Sequence, residues 1–143
     1  MSDNTIAFEV EAGGIYQYIP PNSWNTVNVL TNLTTLHLDT NNGWRPAENG
    51  YRVQVAGKYL IQAEIWHEDK ASGIFRADLV INGNIVAQGQ VAGLTTSVSP
   101  IVFGIFNLNV NDLIQLSACA SGAPSSIGVA WAVTKLQGNC VGL

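Results

Sequence analysis

The chain of 143 residues contains few charged side chains. Asp, Glu, Lys and Arg make up 11% of it, whereas a soluble domain ordinarily carries about 25%. The formal net charge of −4 excludes the basic surface that nucleic-acid binding requires. Hydrophobic residues reach 47%, yet no apolar run approaches the roughly 18–20 residues of a membrane-spanning helix. We therefore expect neither a nucleic acid nor a membrane as a partner.

Cysteine is equally scarce, since Cys119 and Cys140 are the only two. The N-terminus Met1-Ser2-Asp3-Asn4-Thr5 has neither the positive charge nor the apolar run of a signal peptide. We therefore expect synthesis in a cytoplasm, where cysteines usually remain free thiols.

Signals for catalysis or metal binding are weak. The two histidines, His37 and His67, lack the spacing of paired metal ligands, and no nucleophile elbow or phosphate-binding loop occurs. Glu68 and Asp69, in a charged loop, are weak candidates for a calcium site, although a solvated loop tip explains them as well. The sequence thus predicts a protein that is not an enzyme and has no cofactor.

Apolar residues recur with a period of two along most of the chain, which is typical of half-buried β-strands. Roughly ten such segments are separated by turn signals, and Asn82-Gly83-Asn84 favours a tight hairpin. This pattern predicts a single all-β domain over residues 1–143, an antiparallel β-sandwich or barrel. Residues 1–12 are interpreted as a possible anchoring arm, and residues 137–143 as a C-terminal tail beyond the last strand.

Two of the predicted strands are apolar on both faces. Between Lys58 and Trp66, Leu60 and Trp66 lie on the face opposite Tyr59, and the closing strand with Trp131 is similar. A strand with one solvent-exposed face should not carry apolar side chains on both faces. Either the second face is covered within the same domain, or a second copy of the chain covers it. The shortage of charge favours a homo-oligomer, because charged residues are depleted at the cores of subunit interfaces.

The order of several motifs resembles the complement globular-head and tumour-necrosis-factor superfamily. These motifs are Trp44-Arg45-Pro46, Gly50 to Val55, Gly57-Lys58-Tyr59, Leu79 to Gly83, Val110 to Leu116, and Ser126 to Leu136. The resemblance implies a ten-stranded jelly roll that assembles as a homotrimer. It places Tyr59 and Trp131 near the subunit contacts, where we also expect Leu60 and Trp66.

The expected function follows from the resemblance together with the composition. A jelly roll that starts almost at Met1, without a stalk, is similar to bacteriophage decoration (cement) proteins. We therefore expect a virion structural protein that binds itself and a major capsid protein or another virion protein, with Ile6 and Phe8 in the anchoring arm. The alternative is a receptor- or carbohydrate-binding head of a tail fibre, in which Trp44 and Arg45 contact the ligand. Trp44 would otherwise plug one end of the sandwich.

Overall fold

The computed structural model describes residues 5–12, 17–19, 23–28, 30, 34–66, 73–93, 99–122, 128–130 and 134–143. Within these ranges the chain forms thirteen strands and one short 3₁₀ helix, Pro46–Glu48. The strands are β1 (Ala7–Ala12), β2 (Gln17–Ile19), β3 (Ser23–Asn28), β4 (Thr35–Asp39), β5 (Trp44–Arg45), β6 (Gly50–Arg52), β7 (Gly57–Glu64), β8 (Gly73–Ile81), β9 (Asn84–Gly93), β10 (Ile101–Leu108), β11 (Leu113–Gly122), β12 (Gly128–Ala130) and β13 (Thr134–Gly142).

Two antiparallel sheets contain most of these strands. The first is five-stranded, in the order β10-β7-β13-β1-β4. The second has the order β5-β6-β11-β8-β9, with β3 also pairing with β11, and a small third sheet joins β12 to β2. No helix among the described residues is long and apolar enough to cross a membrane. The all-β sandwich predicted from the alternation is confirmed.

The core lies between the two large sheets and is built by alternation along each strand. In β7, Tyr59, Ile61 and Ala63 are buried, while Leu60 and Gln62 face away from the core. Apolar side chains from the second sheet meet them, and the fully buried ones include Phe75, Leu79, Ile114 and Leu116. Burial of this apolar surface is the main stabilising term of the fold.

The predicted hairpin at Asn82-Gly83 is present and has a second role. Both residues have positive φ, 53° and 81°, as a tight two-residue turn with right-handed strand twist requires. The Asn82 side chain also donates a hydrogen bond to Asp112 Oδ1 at 2.9 Å and accepts one from the Leu113 N–H at 2.9 Å. One side chain therefore ties the β8–β9 turn to the β10–β11 turn.

Both chain ends differ from the sequence prediction. Residues 7–12 form β1, which is hydrogen-bonded on both sides, between β13 and β4. Phe8 is fully buried, and Ile6 packs partly buried against the core, so neither residue belongs to a free anchoring arm. The inward Phe8 is followed by the outward Glu9, which is the alternation of an ordinary half-buried strand.

At the other end, residues 137–142 continue β13 instead of forming a tail. Gly138 and Asn139 resemble a turn in the sequence, but Gly138 lies directly against the Phe8 ring, where a Cβ would come within 2.5 Å of Phe8 Cε1. Glycine here marks a close approach between strands. The predicted closing strand with Trp131 corresponds to parts of two strands, β12 and β13, which belong to different sheets, and residues 131–133 lie outside the described ranges.

A candidate self-association surface

One strand of the five-stranded sheet is apolar on both of its faces. In β10, Val102 and Leu108 point into the core, and Ile101, Phe103 and Ile105 point away from it. The latter three are 58%, 70% and 61% exposed. We call them the apolar stripe, and the side of the sheet on which they lie the outward face. Contiguous exposed apolar side chains of this size mark interaction sites on soluble proteins.

The apolar stripe continues onto the neighbouring strand at one end only. Leu60 of β7 is the cross-strand partner of Ile105 and is half-buried on the outward face. Phe103 pairs with Gln62, and Ile101 pairs with Glu64. The apolar surface is therefore an edge feature of the sheet, and one amide, Gln62, and one carboxylate, Glu64, border it on β7.

Polar and charged side chains occupy the middle of the outward face. Gln137 and Asn139 of β13 follow Gln62 and Leu60 in register, and Lys135 follows Glu64. Gln137 is exposed and Asn139 is half-buried. Amides such as these make hydrogen bonds across an interface without the desolvation cost of a full charge.

The far edge of the outward face contains a groove of about 310 Å³. Its walls are Ala7 and Glu9 of β1, Leu38 of β4 and residues 137–139 of β13. Leu38 is 45% exposed, so the groove offers apolar surface at its outer wall. The apolar stripe and the groove thus lie on one face of the sheet but at opposite sides of it.

A side-chain hydrogen bond joins β4 to β1 at the same edge of the sheet. His37 Nε2 of β4 is 2.9 Å from Glu11 Oε2 of β1, with both side chains partly exposed. A bulge between Glu9 and Val10 shifts the β1–β4 register at this point. Bulges commonly redirect a side chain at a sheet edge.

The loop that was predicted as a ligand surface is largely bonded to itself. Trp44 is partly buried and packs against the core, while the Asp39 carboxylate accepts hydrogen bonds from the Gly43 and Trp44 N–H groups at 2.9 Å. Arg45 donates a hydrogen bond to the backbone oxygen of Asn42. This geometry fits the interpretation in which Trp44 closes one end of the sandwich.

The remaining predicted site residues are scattered. Tyr59 lies in the core of the subunit because it alternates with the outward Leu60, and its hydroxyl donates a 2.6 Å hydrogen bond to Val55 O. Trp66 is partly exposed and follows the end of β7. Trp131 lies outside the described residues, as do Glu68 and Asp69.

Candidate metal ligands do not cluster in the described part of the chain. No group of three or more His, Cys, Asp or Glu side chains comes together there. Burial raises the pKa of the Cys119 thiol to about 11, which makes it a poor nucleophile at neutral pH. The buried Asp78 is neutralised by Arg76, whose Nε lies 2.7 Å away.

The apolar stripe is the part of the surface that the sequence reasoning missed. Ile101, Phe103 and Ile105 alternate with Val102 and Leu108, so the segment is apolar on both faces. That is the same signal that identified Leu60 and the closing strand. Applied to residues 101–108, it would have found the stripe.

Sequence comparison gives no relatives: no family model matches the chain, and no curated protein matches it significantly. Solved structures with a similar fold do exist. Murine APRIL at pH 5.0 has a TM-score of 0.68 at 13% identity, covering 96% of this chain and 100% of that one. The Eiger TNF of S. frugiperda has a TM-score of 0.65 at 11% identity, covering 96% and 92%.

The globular domain of the zebrafish complement 1qA protein has a TM-score of 0.58 at 12% identity, covering 94% of each chain. The similarity extends over nearly the whole of this chain in all three cases. The protein therefore has a jelly-roll fold of the kind found in tumour-necrosis-factor-like and complement globular domains. The fold that the sequence resemblance implied is confirmed at this level.

Proposed function

We propose that the protein is a homotrimeric structural module whose subunits associate through the outward face of the five-stranded sheet. The observation that supports this most is the apolar stripe, with three large side chains each more than half exposed. Fully burying one such side chain is worth about 1.5–3 kcal/mol. Three together supply a substantial part of what a stable interface needs.

The arrangement of the face favours a ring over a twofold dimer. A twofold interface brings the same patch of both subunits together, whereas a ring joins two different patches on each subunit. The apolar stripe on β10 and the groove beside Leu38 are different patches, so in a ring the stripe of one subunit would meet the groove of the next. The family resemblance implies three subunits for the ring.

For the biological role we propose decoration of a viral shell. Binding across the capsid subunits of an assembled shell, and not to dissociated ones, stabilises the shell by mass action. The low charge and the high content of neutral amide side chains support a structural role over catalysis. The recognition head of a tail fibre remains the alternative, although the partial burial of Trp44 removes the strongest reason for it.

The oligomeric part is tested by measuring solution mass against concentration by light scattering and mass photometry. We expect a species of three times 15.3 kDa. Ile105→Ser should raise the concentration of half-assembly at least about tenfold, since each subunit loses buried apolar area.

Ile85→Ser is the matched control, because Ile85 is also exposed but lies on β9 of the other sheet. It should leave assembly unchanged. A monomer at all concentrations, or equal effects of the two substitutions, would contradict the proposed interface.

The role is tested separately with purified protein and undecorated viral shells. The trimer should bind the shells and raise the temperature at which they release their contents, and Ile105→Ser should weaken both effects. A trimer that ignores shells but binds glycans or host cells would support the tail-fibre alternative instead.

A further inference from the structure

Asparagine followed by glycine is a dipeptide prone to rearrange without an enzyme, because glycine has no Cβ to keep its backbone nitrogen away from the asparagine side chain. The chain contains three such steps, Asn42-Gly43, Asn49-Gly50 and Asn82-Gly83, and all three lie within the described residues. Each of the three asparagines has positive φ, at 57°, 54° and 53°. Backbone conformation therefore does not distinguish the three steps, but their surroundings do.

Two of the three steps are closed by packing. The Gly43 N–H donates a 2.9 Å hydrogen bond to Asp39 Oδ1, and the Gly43 carbonyl accepts one from the Arg52 N–H at 2.8 Å. Gly50 is buried in β6, between β5 and β11, where an added Cβ would lie 2.7 Å from Ile114 O. Rearrangement at either step therefore requires packed backbone segments to separate.

The Asn82-Gly83 step is open to solvent. Both residues are exposed in the β8–β9 turn, and an added Cβ at Gly83 would meet nothing within 4 Å. Two hydrogen bonds restrain the Asn82 side chain, one to Asp112 and one from Leu113. To react, the amide must leave these two bonds while the turn changes conformation. An exposed turn opens locally at lower cost than strands that pack on the core.

We propose that Asn82 is the asparagine that converts spontaneously to aspartate and isoaspartate in the folded protein. The Gly83 nitrogen gives its proton to solvent base and bonds to Asn82 Cγ, the Cγ–Nδ2 bond breaks, and Nδ2 leaves as ammonia after taking a proton from water. A water molecule then opens the resulting succinimide at either of its two carbonyl carbons. The overall reaction consumes one water and releases one ammonia, with no change of oxidation state. It does not require the proposed trimer.

Conversion at Asn82 changes a structural contact as well as a charge. Aspartate has no N–H to donate, so a carboxylate oxygen would stand where Nδ2 now lies 2.9 Å from Asp112 Oδ1. Two carboxylates at this distance repel each other, and the link between the two turns is lost. Isoaspartate also lengthens the main chain by a methylene within a turn whose two residues both have positive φ. We therefore expect the converted chain to resist urea less well.

The experiment is peptide mapping by mass spectrometry of the full chain after incubation at pH 8.0, either folded or unfolded in urea. In urea the three steps should convert at similar rates, because glycine follows each asparagine. In the folded chain Asn82 should convert at least about tenfold faster than Asn42 and Asn49, whose reaction needs a costlier opening. Earlier conversion of Asn42 or Asn49, or equal protection of all three steps relative to the urea sample, overturns the inference.

The structural consequence is measured by urea denaturation. Asn82→Asp reproduces the converted side chain, and Asn84→Asp is the matched control, because Asn84 is exposed beside the same turn and gains the same charge without losing a bond to Asp112. The midpoint should fall for Asn82→Asp and for the incubated chain in which Asn82 has converted, and it should change little for Asn84→Asp. Equal midpoints for the two variants would overturn the expected loss of stability.

Discussion

Gly138 provides a direct test of the strand that replaces the predicted C-terminal tail. A Cβ at this position would lie 2.5 Å from Cε1 and 2.6 Å from Cζ of Phe8, about 1 Å inside ordinary contact distance. The Phe8 ring has little room to move, because it is buried and stacks on Tyr51 with ring centroids 3.9 Å apart. Gly138→Ala should therefore force the two strands apart or push the ring off its rotamer.

The expected cost is the difference between two effects. Overpacking a tight core typically costs about 1–3 kcal/mol. Replacing Gly by Ala in a strand interior returns roughly 0.5–1 kcal/mol, because the unfolded chain has less conformational freedom to lose. Because the added Cβ would lie only 2.5 Å from a buried ring, the overpacking cost should fall in the upper half of its range. We therefore expect a net destabilisation of about 1–2 kcal/mol and, for a domain of this size, a fall in Tm of roughly 3–8 °C.

The assay is urea denaturation followed by tryptophan fluorescence, with the midpoint compared at constant m-value. Gly142→Ala is the control, because it lies on the same strand and its added Cβ would meet only Lys58 Cβ at 3.8 Å, an ordinary contact. Gly142→Ala should change stability little. Equal midpoints for the two variants would show that residues 137–142 do not pack as β13 does here, and the reasoning would fail.

Three further predictions concern buried polar groups. Tyr51→Phe should be neutral or stabilising, since the buried Tyr51 hydroxyl has no hydrogen-bond partner among the described residues. Tyr59→Phe should cost about 1 kcal/mol, because the variant loses the hydrogen bond from the Tyr59 hydroxyl to a backbone carbonyl. Denaturation curves of the two variants, measured side by side, check both expectations. Asp78→Asn should destabilise the fold by about 2–4 kcal/mol, since it takes the counter-charge from the largely buried Arg76; the same curves measure it. Burial raises the pKa of the folded-state Cys119 thiol to about 11, so its contribution to stability is complete below pH 9 and is lost as the pH rises from 9 to 11. The fall in Tm between pH 9 and pH 11 should therefore be smaller for Cys119→Ser than for the unmodified chain.

Much of the fold could be predicted from local pattern. The alternation between Lys58 and Trp66 placed Tyr59 and Leu60 on opposite faces, and the structure buries Tyr59 and leaves Leu60 on the outward face. The Asn82-Gly83 hairpin was predictable because positive φ at both positions is a property of the dipeptide itself. Such features depend on neighbours in the chain, so the sequence contains them directly.

The candidate site was predictable only in part. Leu60 was identified by the two-faced pattern of its strand, and the same test would have found Phe103. The groove beside Leu38 was not predictable, because its walls come from three strands that are far apart in the chain. The His37–Glu11 pair likewise joins residues 26 positions apart, across a bulge.

The sequence by itself determined that this protein is a β-sandwich with few charges and that one strand is too apolar to have a solvent-exposed face. Composition and period-two alternation are properties of the chain, so they can be read without the structure. Only the tertiary structure decided which residues are available to a partner. Phe8 is apolar and near the chain end, yet it is buried because β1 lies between two other strands. Phe103 is equally apolar but exposed, because β10 turns that side of the strand away from the core. Exposure depends on which sheet face meets another layer, and that is settled by long-range strand pairing.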